Sequence, residues 1–466
     1  MKGSKSMEIK RDALVFLDRW LNQPRRKPLV IRGARQVGKS TLVEQFAAAR
    51  GLSLCEIDLE RHRGLKGVFA TLDADRICEE LSVLAGRAVD APGTLLFLDE
   101  IQAVPEAIEA LRYLRQDRPS LPVVAAGSLL EFALDKARLS MPVGRITYLF
   151  LGPLSFPEFL GAVEPDLRAW LERFADTGEM PATAHEKLLR RARQFCFVGG
   201  MPEAVAAYAD GGSLPAASEV QRDILQTYED DFAKYAGGRD LALMQEIFRR
   251  LPAVACRKVK YVNFSREARA REVKGILSLF RKARVCQAVE STDASGVPLF
   301  AGADPDVWKP LFLDVGLANH ACGVDWRMLE ALDGTRFVNE GVIAEQFVGQ
   351  ELLYADGGFE EPRLAYWLRE GAKSNAEVDY LLASGPEIFP VEVKAGKSGT
   401  LRSLRQFVLA KSPRTAFRLD ANPPGRQTVS FSETGRDFSH ELVSLPFYAA
   451  RFLPRFCERE RRDVRP

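Results

Sequence analysis

Cysteine and histidine are scarce in this chain: the seven cysteines among 466 residues (Cys55, Cys78, Cys196, Cys256, Cys286, Cys322, Cys457) include no C-x-x-C pair, and there are four histidines. That scarcity removes zinc-finger spacings and disulfide scaffolds, and leaves the cysteines as reduced, mostly buried thiols. Charge of one sign is lacking too, because 65 Lys and Arg against 63 Asp and Glu leave a formal charge of +2. A wholly basic nucleic-acid coat and an acidic tail are both excluded, so any electrostatic partner surface has to be local. No window approaches the roughly 18 apolar residues of a membrane span. The opening residues MKGSKSMEIKRD have no apolar signal core. The expectation is a cytoplasmic protein with no membrane partner and no internal repeat.

What is present is a globular composition, 46% hydrophobic and 27% charged, in a chain long enough for two or three domains. After an amphipathic helix near Asp12–Trp20, apolar runs at Leu29–Ile31, Leu52–Ile57, Thr94–Leu98, Val123–Ala126 and Ile146–Leu151 alternate with helical stretches. That alternation predicts an α/β fold with a parallel sheet, ending near Leu151.

Within it, Gly33-Ala34-Arg35-Gln36-Val37-Gly38-Lys39-Ser40-Thr41 completes the pattern G-x-x-x-x-G-K-[ST] between a strand and a helix. Glycines at both ends let successive N–H groups and a helix N-terminus converge on one anion. Lys39 then reaches the β- and γ-phosphates and Ser40 holds Mg²⁺. The predicted ligand is therefore a nucleoside triphosphate with Mg²⁺.

Leu95-Leu96-Phe97-Leu98-Asp99-Glu100 supplies the second half of that chemistry: a buried strand places Asp99 at the metal, and Glu100 beside it polarises an attacking water. One strand on, Ser128 either touches the γ-phosphate or caps the following helix. Arg145 is either a cation that neutralises transition-state charge, in its own subunit or across a boundary, or a plain surface arginine. Arg35 lies within the cradle and serves a neighbour or the adenine side.

The segments GARQVGKSTL, LFLDEIQ, AAGSLLEF, PVGRITYLFLGPLSFPEFL and GGMPEAV resemble the bacterial and archaeal AAA-type ATPases that carry a C-terminal domain of uncharacterised function. The resemblance implies ATP as the nucleotide, Gln102 as a residue that signals from the acidic pair, Arg145 as a sensor or finger, and oligomers as plausible assemblies.

Residues 152–236 read as a helical lid or connector that includes the turn Gly199-Gly200-Met201-Pro202. Residues 237–335 read as helices followed by a hairpin, an order that resembles a winged helix. Between Arg249 and Arg284 there are about twelve basic residues against two acidic ones. Arg257, Lys258, Lys260, Arg266, Arg269, Arg271 and Lys274 either contact DNA phosphates or form a solvated face paired with Glu229-Asp230-Asp231.

Residues 336–450 carry Glu345 on a helix, Asp379 on one strand, and Glu392-x-Lys394 on the next. In a hairpin, Asp379 and Glu392 converge to hold a second divalent metal, Mg²⁺ or Mn²⁺, and Lys394 projects from the same face. The order resembles the PD-(D/E)XK nuclease superfamily, with Val378 where that motif often has proline, and Glu351 and Glu377 are alternative ligands. Such a core either cleaves or survives as a binding module. Residues 451–466 read as a charged, frayed tail. The function expected is an ATP-hydrolysing switch coupled to a nucleic-acid-binding, nuclease-like region. The rival reading is a signalling or scaffold ATPase whose C-terminal domain docks proteins.

Overall fold

The computed structural model describes residues 9–127, 144–235, 240–324, 340–355, 357–371, 375–396, 401–433 and 435–462. The first sheet has the order β2-β3-β4-β1-β5, built from Leu29–Arg32 (β1), Ser53–Asp58 (β2), Thr94–Asp99 (β3), Val123–Gly127 (β4) and Thr147–Phe150 (β5). All its neighbours run parallel. Helices cover both faces, which is why Leu95 to Leu98 are all buried instead of alternating. The strands end within a residue or two of the apolar runs that predict them. Putting β1 beside β4 brings the phosphate-loop end of β1 and the acidic end of β3 to the same, carboxyl edge of the sheet.

Five helices follow, from Phe156–Val163 to Leu214–Tyr235, as the helix-forming composition of this stretch predicts. The first begins with a capping box, in which Ser155 accepts from Glu158 N and Glu158 accepts from Ser155 N.

The second sheet has eight strands in the order β12-β13-β11-β10-β9-β8-β6-β7. They are Cys286–Thr292 (β6), Ala303–Phe312 (β7), Leu364–Arg369 (β8), Ala376–Ser384 (β9), Glu387–Val393 (β10), Thr415–Asp420 (β11), Gly425–Glu433 (β12) and Arg436–Pro446 (β13). The hairpin expected as a wing is β6–β7, and β6 pairs in parallel with β8. The hairpin is therefore one edge of the C-terminal sheet, and the expected boundary near residue 335 does not divide that sheet. Between the two strands lies a short 3₁₀ segment, Leu299–Gly302.

The helices Leu241–Arg250 and Ala270–Lys282 do not stand apart either. Phe232 of the helix Leu214–Tyr235 packs 5.1 Å from Phe248 and 5.0 Å from Phe280, and Phe248 packs 6.0 Å from Phe312 of β7. The expected frayed tail is corrected as well: Leu453–Arg462 is a helix with Leu453, Phe456 and Cys457 buried, and Phe456 packs 5.5 Å from Phe174. Its charges are not all solvated: Glu458 and Arg462 are exposed, but Glu460 is buried and pairs with Arg426, and Arg459 donates to the Ala175 carbonyl at 2.7 Å. Among the described residues, no helix is long and apolar enough to cross a membrane.

Candidate functional site

The cradle forms where β1 turns into the helix Lys39–Arg50. Gly38 has φ +84°, a left-handed backbone that a side chain would strain. Gln36 also takes a positive φ, +62°. Val37 is fully buried, whereas Thr41 is exposed and makes no described contact with the loop. Lys39 is almost wholly buried and donates to the carbonyl oxygens of Gly33 at 3.2 Å and Ala34 at 2.8 Å. Burial pushes its ammonium down to about 8, against the pull of Glu100 and Asp99.

The Ser40 hydroxyl donates to Asp99 Oδ2 at 2.6 Å, 59 residues apart in the chain. Beyond Asp99 the chain turns sharply, since Glu100 takes a left-handed backbone with φ +47°. Asp99 Oδ1 accepts from Glu100 N at 2.9 Å. Gln102 donates to Glu100 Oε2 and lies against the end of β4, so close that a Cβ on Gly127 would stand 2.2 Å from its Oε1. Ser128 lies outside the described residues.

Arg11, which nothing in the sequence singles out, completes the surroundings together with Arg35 and the turn after Gly199. Arg11 donates to the Val37 carbonyl at 2.7 Å, to the Gly152 carbonyl at 2.9 Å and to Glu158 at 3.0 Å. Arg35 points to the helix Leu214–Tyr235, where it pairs with Asp231, and the Tyr228 hydroxyl donates to its carbonyl at 2.8 Å. The turn after Gly199 also abuts the loop, because a Cβ on Gly38 would stand 3.5 Å from the Pro202 ring. That turn is held from the C-terminal half: Asp314, fully buried, accepts from Gly200 N at 2.6 Å.

Arg145 is exposed two residues before Thr147, which pairs with Leu29 at the start of β1. It therefore sits at the amino edge of the sheet, a four-residue strand, about 13 Å, away from the carboxyl edge that bears the cradle. That placement sets its backbone a strand's length from the phosphate loop of its own chain.

This chain carries an AAA-type P-loop domain. Residues 25–160 match the AAA domain family, while residues 189–327 and 340–440 match two domains of unknown function, DUF8612 and DUF4143. The replication factor C large subunit of Sulfolobus acidocaldarius is 28% identical over 118 residues, 25% of this chain and 24% of that protein. The match thus spans about a quarter of the curated relative. The Thermotoga maritima RuvB Holliday junction branch migration motor and a variant of it align at 18% identity over 60% of this chain and 89% of theirs, with a TM-score of 0.27, a likeness too slight to argue from.

The second cluster lies in the eight-stranded sheet. Glu345 of the helix Glu340–Leu353 meets Glu377 and Asp379 of β9, with one carboxylate oxygen of each within 4.8 Å of the others. Among them is a side chain that charge counting over Arg249–Arg284 passes by. Lys309 of β7 is fully buried and donates to Glu345 at 2.5 Å, to Glu377 at 2.9 Å and to the Asp379 carbonyl at 3.3 Å. Its position in Trp308-Lys309-Pro310-Leu311-Phe312, a lone charge in an apolar strand, is the signal for it.

Asp379 Oδ2 accepts from Val393 N at 2.7 Å, and Lys394 donates to Glu392 at 2.6 Å, which joins the two neighbouring strands. Burial, with Asp379 nearby, pushes Glu392 up to about 7, and burial raises Glu345 to about 8 against the pull of Lys309. Glu351 does not join the cluster. It lies two turns further along the helix and accepts from Phe156 N at 2.8 Å.

The basic stretch divides in two. Lys258 pairs with Glu370 at 2.7 Å, Lys274 with Asp306 at 2.7 Å, and Arg249 with Glu229 at 2.6 Å. Arg257, Lys260, Arg266 and Arg271 are exposed and have no acidic partner among the described residues. Arg269 is also exposed, at the start of the helix Ala270–Lys282.

Proposed function

We propose that residues 1–151 bind and hydrolyse Mg-ATP, and that the nucleotide state is passed to a C-terminal region that binds nucleic acid. The observation that carries the first half is the 2.6 Å bond between Ser40 and Asp99. A hydroxyl and a carboxylate, each on a different element, meet beside the anion cradle, and both suit an oxygen-seeking cation. Ser40 and Asp99 would hold Mg²⁺ there, and the ion would supply positive charge against the negative charge that develops on the leaving phosphate.

The chain's own residues do the rest. Backbone N–H groups from Arg35 to Thr41 enclose the phosphates, and Lys39 exchanges the Gly33 and Ala34 carbonyls for phosphate oxygens. Glu100 accepts the proton of a water as its oxygen bonds to the γ-phosphorus. The β–γ bridging bond then breaks, giving ADP and inorganic phosphate. Gln102, bonded to Glu100, orients that carboxylate.

The coupling reading is supported by two buried links between the loop and the rest of the molecule. One runs from Val37 through Arg11 to Glu158. The other runs from the Gly200 turn to Asp314, which caps the helix Val315–Ala321. In this reading residues 152–236 are the lid, 237–335 and 336–450 the nucleic-acid-binding part, and a homo-oligomer is the working assembly. The exposed Arg257, Lys260, Arg266 and Arg271 favour DNA phosphates over an internal acidic partner. The order Glu345, Asp379, Glu392, Lys394 supports a nuclease-like core beneath them.

The test is duplex DNA binding by the purified full chain at about 50 and 200 mM salt, in wild type and in a variant with those four basic residues changed to Ser. Binding that weakens by tenfold or more with salt, and that is lost in the variant, supports the reading. A chain that hydrolyses ATP yet binds no DNA at low salt turns it to the signalling alternative.

A further inference from the structure

We infer that the acidic pocket of the C-terminal sheet is neutralised from within, with the Lys309 ammonium in the place a divalent cation would take, so that this core binds without cleaving. The inference rests on reading that core as nuclease-like.

A metal-dependent phosphodiesterase needs a cation held by carboxylate oxygens and open to a phosphate and a water. Here the carboxylates of Glu345, Glu377 and Asp379 converge as such a site requires. The point between them is taken. Lys309 comes from β7, at the far edge of the sheet, and bonds Glu345 and Glu377 directly. It is held there on its other side by aromatic faces, with Nζ 4.7 Å from the Tyr366 ring centre and 5.5 Å from that of Tyr380. The Tyr380 hydroxyl in turn donates to the Glu345 carbonyl at 2.8 Å, which fixes the helix that carries the first carboxylate.

A fully buried lysine among carboxylates and aromatic rings has no room to swing into solvent, and displacing it would leave an unpaired charge in the interior. Lys394 is likewise engaged inside the fold, with its Nζ bonded to Glu392. The remaining oxygen of Glu392 is buried with no partner in the described structure. Lys309 thus joins β7, β9 and the helix Glu340–Leu353 by direct bonds to two of the three carboxylates. The chemistry of the pocket is that of a binding module whose backbone geometry survives and whose metal position is filled by a side chain.

The experiment is a Mn²⁺ titration of the nucleotide-free full chain, followed by electron paramagnetic resonance and by thermal melting, in wild type, Lys309→Ala and Lys309→Ala with Asp379→Asn. The expected result is no Mn²⁺ in the C-terminal pocket of wild type, one gained in Lys309→Ala, and its loss in the double variant. If Lys309→Ala folds poorly, added Mn²⁺ raises its melting temperature and leaves that of wild type unchanged. A Mn²⁺ bound by wild type and lost on Glu345→Gln overturns the inference, and so does a folded Lys309→Ala that gains none. Failure of the nucleic-acid reading appears separately, as absent DNA binding in a protein whose Lys309 variant still gains its metal.

Discussion

Arg11 and Glu158 form an ion pair 3.0 Å long with both side chains almost wholly buried. The same guanidinium holds the Val37 carbonyl of the phosphate loop, and the same carboxylate caps the helix Phe156–Val163. One pair therefore ties the cradle to the helix Phe156–Val163, and removing either partner strands a charge in the interior. Glu158→Gln and Arg11→Met are each expected to cost about 3–5 kcal/mol in denaturant unfolding. Together they should cost less than the sum, and each should weaken ATP binding without touching a phosphate.

The buried ammonium of Lys39, pushed down to about 8, sets a pH dependence for nucleotide binding. The phosphates favour the protonated form, so the bound-state value is higher and binding takes up a proton over the interval between them. ATP affinity is expected to fall as pH rises through about 8 and beyond, with proton uptake visible by calorimetry in two buffers of different ionisation enthalpy. A Lys39→Arg variant should lose that slope.

Glu100→Gln keeps size and the Gln102 contact but removes the base. Turnover should drop roughly 10²–10⁴-fold while ATP binding is retained. A variant that hydrolyses at the wild-type rate assigns the water to another residue.

Arg145, at the sheet edge opposite the cradle, is expected to act on phosphate across a subunit boundary. Arg145→Ala and Lys39→Ala proteins should each be inactive alone. Mixed, they should recover part of the activity at shared interfaces, because one brings the loop and the other the guanidinium. No recovery on mixing assigns Arg145 to the plain surface.

Glu351 is a carboxyl that burial raises to about 7. Its contribution to stability is fully present below the ordinary glutamate range and is lost as pH rises through about 7. Relative to Glu351→Gln, which still accepts from Phe156, the wild type should lose roughly 1–3 kcal/mol between pH 5 and 8. Paired melting curves across that range measure the difference.

The first half of the chain was legible because its signals are local. Each parallel strand is a short apolar run, and the cradle is written in nine consecutive residues. The C-terminal half was legible only in part. Glu345, Asp379 and Glu392 stood out by order, but Lys309 bonds Glu345 and Glu377 through β7, whose place in the sheet depends on the parallel pairing of β6 with β8. Nothing local announces such a pairing, and the same pairing turned an expected wing into a sheet edge. Arg11 was hidden for a related reason, since its partners Val37, Gly152 and Glu158 are distant in the chain. The charged helix Leu453–Arg462 read as a tail because three apolar residues among many charges, Leu453, Phe456 and Cys457, carry its packing.

Phosphate release from Mg-ATP by wild type and Lys39→Ala, each with and without duplex DNA at low salt, tests the central claim most directly. The account predicts turnover by wild type that changes when DNA is added, and none by Lys39→Ala in either condition. Equal release from the two proteins would contradict it.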